Sequence, residues 1–174
     1  MKIDLTKLEY KKLSIDSIPD LLDIQEEAFI HANGNTEFLR KNTVETFSLC
    51  FEEPSLVLGI YYEGIMIAFG ILHVAKETKE NLAYDIEEVQ DVKENANVKL
   101  TIVRPDYRGN GLQRILIDKL VEHAKDHGFK WTSSTASPVN IWSCNNLRAC
   151  GFKEVKVLEK YGGLKRILFA KQIG

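Results

Sequence analysis

Apolar and polar residues follow one another in patterns that predict strands and helices in turn. Residues 18–32 carry apolar side chains at helical spacing, and Ser17 followed by Pro19 in the first turn suits the start of a helix. Residues 7–14 alternate loosely and predict a strand before this helix. A Gly-Asn loop at residues 31–36 is expected to end it.

A second helix and a hairpin are predicted next. Asn42 and Glu45 have the spacing of a capping box, so the helix should begin at Asn42 and end before Pro54. Residues 55–75 form two apolar runs, and the Glu-Gly pair at 63–64 between them is typical of a tight β-turn. Because the runs are apolar at nearly every position, helices should cover both faces of these strands.

An acidic stretch at residues 76–96 interrupts this pattern. It contains seven acids and three lysines, a net charge of −4. Such a stretch is typical of a solvated insert or a short helix with flanks. Its charge could also draw a cationic amine toward a nearby cleft.

The second half of the chain returns to alternating strands and helices. Strands are expected on both sides of a long amphipathic helix, which Gly128 should end. The predicted elements are a strand at 98–103, a helix at 111–127, a strand at 131–137, a helix after Asn140, and strands at 152–158 and 165–173.

Composition and charge describe one soluble globular domain spanning residues 1–174. The net charge of −2 lacks the basic footprint that nucleic acids require, and the longest strongly apolar uncharged run, residues 64–75, is shorter than the ~20 residues of a membrane helix. Three cysteines and no apolar signal core in residues 1–12 predict a cytoplasmic protein. Neither a nucleic acid nor a membrane is therefore expected as a partner.

The segment from Thr101 to Gln113 carries the most informative chemistry. A strand is followed by a proline and then by Arg-Gly-Asn-Gly at residues 108–111, which open the long helix. Glycines allow close approach to the backbone, and free N–H groups at a helix N-terminus suit a pyrophosphate. A plain Gly-rich turn between strand and helix is the alternative.

Two segments resemble the GNAT N-acetyltransferase superfamily. The sequence TIVRPDYRGNGLQ is similar to its acetyl-CoA signature, Q/R-x-x-G-x-G/A after a strand ending in V-x-P. Downstream, Asn140, Ser143, Leu147 and the Gly-Phe pair at 151–152 resemble the family's N-x-x-A/S…Y…G-F helix. Together the two resemblances cover residues 97–153.

The resemblance implies a fold and a cofactor site. The fold is α/β, with a mixed, largely antiparallel central sheet flanked by helices and splayed between the fourth and fifth strands. Acetyl-CoA is the implied co-substrate, and no metal is expected. The strand residues Thr101, Ile102 and Val103 would pair with the pantetheine arm, and Arg108, Gly109, Asn110, Gly111, Leu112 and Gln113 would cradle the pyrophosphate. Asn140 would contact the CoA arm or act as a helix N-cap.

The implied function is acetyl transfer from acetyl-CoA to a primary amine by direct attack in a ternary complex. The protein would then be an acyltransferase whose acceptor is a small amine or a peptide, acting as a monomer or a homodimer. The alternatives are a CoA- or acyl-CoA-binding module without catalysis and a protein-interaction domain in which residues 108–111 are only a turn.

Several positions depart from the family pattern. Gln113 stands at the last Gly/Ala position of the signature, and Leu147 stands where the family keeps its general-acid Tyr. Asn97 and Thr135 occupy the two positions where family members often keep a basic Glu. The catalytic residues are therefore left unassigned.

The remaining candidates are weaker. A water relay or a carboxylate from the insert or the first helix could act as the base, with Glu26, Glu27 and Glu94 unranked, and Tyr161 could replace the missing acid or simply pack. His123 and His127 are spaced as a metal pair without the HExxH glutamate.

Overall fold

Seven strands form one sheet in the order β1-β2-β3-β4-β5-β7-β6. The computed structural model describes residues 1–35, 37 and 39–174. Every neighbouring pair is antiparallel except β4 and β5, so the predicted mixed, largely antiparallel sheet is confirmed. The strands are β1 (Glu9–Lys12), β2 (Leu56–Tyr62), β3 (Ile65–His73), β4 (Asn95–Val103), β5 (Trp131–Ala136), β6 (Lys153–Lys160) and β7 (Leu164–Gln172). The helices are α1 (Ile18–His31), α2 (Val44–Ser48), α3 (Leu112–Asp126) and α4 (Ile141–Ala149).

The start of α2 differs from its prediction. The capping box is formed by Thr43 and Thr46, one position later than the sequence indicated. The reason is a tertiary contact: the buried side chain of Gln25 accepts from the Asn42 N–H at 2.7 Å and donates to the Asn42 carbonyl at 2.9 Å. These two bonds occupy the backbone of Asn42, so the helix begins after it. Ser17 precedes α1 as predicted, but its side chain makes no capping bond.

Helices cover both faces of the central strands, as predicted. On one face Leu112, Leu116 and Leu120 of α3 are buried against the sheet. On the other face, Phe47 of α2 meets Phe69 of β3 edge-on, with ring centroids 6.1 Å apart. The two apolar layers hold β3 and β4 rigidly between them.

The acidic insert is more buried than its composition indicates. It forms two short 3-10 turns at Leu82–Asp85 and Val92–Glu94. Four of its apolar side chains, Leu82, Ala83, Ile86 and Val89, pack against Leu168 and Ala170 of β7. The high content of acids in the insert masks this apolar side in the composition.

A buried amide network fastens this insert to the sheet. Asn97 of β4 accepts from the Leu82 N–H at 3.2 Å and from the Asn95 side chain at 3.1 Å. The Asn97 side-chain nitrogen donates to the Glu80 carbonyl at 2.9 Å. The Ser133 hydroxyl donates to the Asn97 side-chain oxygen at 3.2 Å. Asn97, at the position of a family glutamate, thus positions the backbone of Glu80.

Across 1–35, 37 and 39–174, no helix has the length and apolar character needed to cross a bilayer. The loop predicted after α1 is a turn at residues 32–34, and the predicted loop end, Thr36, lies outside the described residues.

Candidate active site

The sheet opens between β4 and β5. These strands pair only from Asn95 opposite Trp131 to Asn97 opposite Ser133. Beyond that point β4 continues to Val103 with β3 as its only strand partner. The predicted splay is therefore present, and the edge of β4 that faces β5 offers free backbone groups.

A β-bulge in β4 lies at the apex of this opening. Leu100 is opposite Ile71, whereas Val98 is opposite Leu72. Lys99 is therefore an extra residue without a cross-strand partner on β3. Such a bulge re-aims the strand and its side chains, here at the point where the sheet begins to separate.

The N-terminus of α3 points free N–H groups at the same opening. Gly109 and Gly111 have φ of 84° and 76°; an added Cβ would meet open space at both, so glycine is favoured there by the left-handed backbone conformation and not by crowding. Within the described part of the chain, the amides of Leu112, Gln113 and Arg114 donate to no protein acceptor. With the dipole of a 15-residue helix behind them, these donors are suited to an anionic group.

A cavity of about 1420 Å³ connects the splay, the α3 N-terminus and the far side of the sheet. It is lined by all but one of the residues predicted to bind acetyl-CoA: Thr101, Ile102, Val103, Arg108, Gly109, Gly111, Leu112, Gln113 and Asn140. Asn110 is the exception. Its side chain accepts from the Ile3 N–H at 3.2 Å and donates to the carbonyls of Met1 and Tyr107, both at 2.8 Å, so it holds the loop from behind.

Gln113 spans the opening with its side chain. Its amide nitrogen lies 3.0 Å from the Thr101 hydroxyl on β4 and 3.1 Å from the Ser143 hydroxyl on α4. Its amide oxygen accepts from Asn146 at 2.5 Å. The long side chain thus links α3, β4 and α4, and its backbone N–H stays free, as expected from the sequence.

Asn140 matches the family pattern, whereas Leu147 departs from it. The Asn140 side chain accepts from the Ser143 N–H at 3.2 Å, so it is the N-cap of α4, while it also lines the cavity. Leu147, where the family keeps a Tyr, is 3% exposed and packs in the core. No proton donor is available at that position.

None of the three candidate glutamates lines the cavity. Each carboxylate already has a cationic partner outside it: Glu26 pairs with Lys41 at 2.8 Å, Glu27 with Arg104, and Glu94 with Lys130 at 3.3 Å. The spacing of acids along a sequence carries no information about which of them a fold turns inward.

Tyr161 lies in the cavity wall. Its hydroxyl is 3.1 Å from the Thr135 hydroxyl on β5, where the family often keeps a Glu. Its backbone is in the left-handed region, with φ of 55°, at the turn between β6 and β7. The Arg40 guanidinium covers its ring at 4.2 Å. The Tyr-Gly-Gly turn therefore places a phenol beside the splay.

Glu80 and His73 line the cavity although no sequence motif marks them. Glu80 is the one carboxylate that lines the cavity among the described residues, and it belongs to the acidic insert. A hydrogen bond from its own backbone N–H lowers the pKa of Glu80, so it is ionised at neutral pH. His73 ends β3 opposite Asn97, and burial lowers the pKa of its ring, which is neutral at pH 7.

The cysteines are buried thiols. Burial raises the pKa of Cys50 and of Cys150 to about 11, and it also raises the pKa of Cys144. Thiols with raised pKa values are poor nucleophiles at neutral pH. This disfavours an acyl-cysteine mechanism.

The His123–His127 pair has protein partners. The His123 ring nitrogen is 3.1 Å from the Pro54 carbonyl, and the His127 ring nitrogen is 2.8 Å from the His123 carbonyl. Among the described residues, no three His, Cys, Asp or Glu side chains are grouped so as to hold a metal ion. The pair is thus engaged in structural contacts at the helix end.

Comparison with known proteins agrees with this geometry. The acetyltransferase (GNAT) family model matches residues 18–152, more than half of the chain. The chain belongs to the GNAT acetyltransferase family. GNAT proteins of this kind are acyltransferases, and the seven-stranded sheet with its splay is the GNAT fold. No curated protein matches the sequence.

Solved structures share this GNAT fold at low identity. The ribosomal-protein-S18-alanine N-acetyltransferase from Escherichia coli is 19% identical, with a TM-score of 0.70 over 95% of this chain and 94% of that one. A phosphinothricin acetyltransferase from Sinorhizobium meliloti, solved with acetyl-CoA, is 16% identical, with a TM-score of 0.74 over 97% and 89%. A GNAT acetyltransferase from Streptococcus pneumoniae is 16% identical, with a TM-score of 0.73 over 96% and 99%.

Proposed function

We propose that this GNAT protein transfers the acetyl group of acetyl-CoA to a primary amine, by direct attack of the amine on the thioester in a ternary complex. The observation that carries the proposal is the union, in one cavity, of the free edge of β4 and the unsatisfied amides that begin α3. The acceptor is a small amine or a peptide. The residues supply four separate contributions.

Binding of the co-substrate depends on backbone groups. The edge of β4 at residues 101–103 pairs with the amides of the pantetheine arm, as a missing strand would. The amides of residues 111–114 and the Arg108 guanidinium receive the pyrophosphate. Asn140, whose side-chain nitrogen is not used in capping α4, faces the same arm.

The β-bulge of β4 at Lys99 is assigned the polarisation of the thioester carbonyl. At Lys99 the strand lacks a β3 partner, and past Asn97 it lacks a β5 partner. Fixed N–H groups at this point stabilise the negative charge that develops on the carbonyl oxygen during attack.

Removal of the amine proton is assigned to Glu80. An amine with a pKa of ~10.4 is almost wholly protonated at pH 7 and must lose a proton before it attacks. Glu80 is an ionised carboxylate in the cavity, and the neutral ring of His73 lies beside it. Together they pass the proton from the amine toward solvent, directly or through a water molecule.

Tyr161 is assigned to the departing sulfur. A CoA thiolate, with a pKa near ~8.5, leaves with little assistance, so a weak donor is sufficient. The Tyr161 hydroxyl, held by Thr135 beside the splay, donates to it. This phenol takes the role that Leu147 cannot fill.

The first test is thiol release from acetyl-CoA with a panel of amines, amino acids, aminoglycosides and short peptides, from about pH 6 to pH 9. Turnover that rises with pH for one acceptor class is the expected result. Trp142 lines the cavity and is 68% exposed, so its fluorescence reports CoA binding separately.

The rival function is a CoA-binding module without catalysis, motivated by Asn97, Thr135 and Leu147 at the usual proton-transfer positions. Tight CoA binding without release of thiol for any acceptor would establish it. At a CoA concentration a hundred times the Kd, bound protein gains about 2.7 kcal/mol of stability. Absence of that gain would contradict both functions.

A further inference from the structure

The end of the cavity opposite the α3 N-terminus is rich in cations. We call it the acceptor end and define it by Arg40, Glu80, Lys99, Tyr161 and Arg166, all of which line the cavity. Three of these five side chains are positively charged, and one is negative. Among the described residues, none of the three cations has a carboxylate within ion-pair distance.

Of the three cations, Arg166 gives the clearest indication of an anion-binding site. It is 5% exposed, and its only hydrogen bond to the described protein is a donation to the Lys165 carbonyl at 2.8 Å. A guanidinium carries five N–H donors in a planar fork, so most of its capacity is unused. A cation this buried is costly unless an anion compensates it.

Arg40 and Arg166 converge on Tyr161. Their guanidinium carbons lie 4.2 Å and 6.0 Å from the centre of its ring. Burial, the largest effect, lowers the pKa of Arg166, and so does Arg40, whereas Tyr161 and Glu37 act in the opposite direction. The two arginines thus face one volume beside the phenol.

Lys99 extends the same charge toward the thioester. Lys99 is the residue of the β4 bulge that has no cross-strand partner on β3. Its ammonium forms no salt bridge with a carboxylate of the described residues. Burial, the largest effect, lowers the pKa of Lys99, and so does the charge of Arg40, whereas Cys50 and Glu80 act in the opposite direction. The cation cluster therefore reaches from the turn after β6 to the point of acetyl transfer.

We propose that the acceptor is a small amine that also carries a carboxylate or phosphate group, and that Arg40, Lys99 and Arg166 bind this anionic group while the amine faces Glu80. This assignment rests on the proposed acetyl transfer. A bidentate contact from Arg166 to two oxygens matches the planar fork, and the two other cations complete the charge balance.

The three cations of the acceptor end also favour deprotonation of the bound amine. Positive charges near an ammonium disfavour its charged form, so they lower the pKa of the bound amine and ease its deprotonation. Purely cationic acceptors are disfavoured for the same reason. Of the acids in the insert, only Glu80 lines the cavity. We therefore expect the cavity to select an acceptor with an anionic group, and not a purely cationic amine attracted by the charge of the insert.

The test uses matched acceptor pairs with acetyl-CoA: an amino acid against its amide and its decarboxylated amine, and a phosphorylated amino alcohol against the free amino alcohol. We expect the anionic member to have a kcat/KM at least tenfold higher. Arg166→Gln, Lys99→Met and Arg40→Gln should each reduce that ratio several-fold, with little change in the KM of acetyl-CoA. Lys156→Gln, on the exposed face of β6, is the charge-matched control.

A second readout does not need turnover. With the protein saturated by CoA, phosphate and acetate are titrated in turn at constant ionic strength, with Trp142 fluorescence and melting temperature as signals. We expect saturable binding of one of the two anions, which separates a phosphate from a carboxylate acceptor, and weaker binding in Arg40→Gln, an exposed position that folding tolerates.

The two proposals fail in different ways. Equal kcat/KM within every pair, or a preference that survives all three cation variants, would overturn the anionic acceptor while leaving acetyl transfer intact. CoA binding and anion binding without any turnover would overturn acetyl transfer and leave the anion site. Absence of any saturable anion binding at the CoA-saturated protein would overturn the anion site itself.

Discussion

The two ends of the cavity are built in different ways. The proposed CoA end is built mainly from contiguous residues, 101–114, whose backbone forms a strand edge and a helix N-terminus, with Asn140 as the one contribution from elsewhere. The acceptor end brings Arg40, Glu80, Lys99 and Arg166 together from four separate segments around the turn at Tyr161. Backbone chemistry encoded in one short segment is visible in a sequence, whereas side chains that converge through tertiary folding are not.

The difference extends to tolerance of substitution. The proposed CoA contacts at this end are backbone N–H donors, so CoA binding should be compatible with Gln113 at the position of a small residue and with an Asn110 side chain that points away from the cavity. At the acceptor end the side chains themselves carry charge and protons. Variants there should affect turnover and selectivity, and variants at the CoA end should affect binding.

The largest effect is expected for Glu80→Gln. The amide cannot accept the amine proton, and general base catalysis is commonly worth 10²–10⁴-fold, so kcat should fall about a hundredfold. Because the pKa of Glu80 is lowered, the carboxylate is ionised throughout neutral pH, and the rise of activity with pH reflects the amine. Stopped-flow or steady-state thiol release measures kcat, and the Kd of acetyl-CoA should not change.

Glu88→Gln is the matched control for this prediction. Glu88 belongs to the same insert and is exposed, and it does not line the cavity. Its variant should retain wild-type kcat. Equal activity of the two variants would remove Glu80 from the mechanism and leave His73 or water as the base.

A second prediction concerns the CoA end. Gly111→Val places a β-branched residue at φ of 76°, which forces the loop to change and misaligns the amides that begin α3. The Kd of acetyl-CoA should rise about tenfold or more, measured by Trp142 fluorescence or calorimetry. At saturating acetyl-CoA the acceptor preference should be retained.

The control for this loop change is Gly128→Val. Gly128 has φ of 82° with open space around it, but it follows the other end of α3. Gly128→Val should lower the free energy of unfolding about as much as Gly111→Val does, on the order of 1–2 kcal/mol. The Kd of acetyl-CoA should not change. A similar loss of affinity in both variants would mean that the effect is a general weakening of the helix.

The resemblance to the GNAT family predicted the sheet class, the splay and nine residues that line the cavity, because the motifs that carry it are short and contiguous in the chain. The sequence pattern missed the α2 cap because Gln25, seventeen residues earlier, takes up the Asn42 backbone. It missed the apolar side of the insert because its acids dominate the composition. It could not find Glu80, since that residue is held at the cavity by tertiary contacts, among them the bond from the Asn97 amide to its carbonyl.

A smaller effect is expected for Tyr161→Phe. The thiolate leaves with little help, so loss of the hydroxyl should lower kcat less than tenfold, with no change in the Kd of CoA. Retention of the ring keeps the stack with Arg40. Tyr84→Phe, an exposed tyrosine whose hydroxyl donates to the Glu77 carbonyl away from the cavity, controls for loss of a phenol. An unchanged kcat in Tyr161→Phe would restrict the residue to packing.

The smallest effect concerns stability at acid pH. Burial lowers the pKa of His73, so the folded protein binds this proton less readily than the unfolded chain. Its contribution is complete above the ordinary pKa of ~6.5 and is lost as the pH falls from there toward the lower folded pKa. His73→Leu should therefore lose less stability than wild type between pH 7 and pH 5, by chemical denaturation.

His123 sharpens this comparison because burial lowers its pKa as well. It lies on α3, away from the acceptor end, so His123→Leu should flatten the same stability profile without altering the pH dependence of turnover. His73→Leu should alter both, because that ring lines the cavity beside Glu80. If the two variants gave identical pH–rate profiles, His73 would be a buried structural histidine, and proton removal would rest with the carboxylate alone.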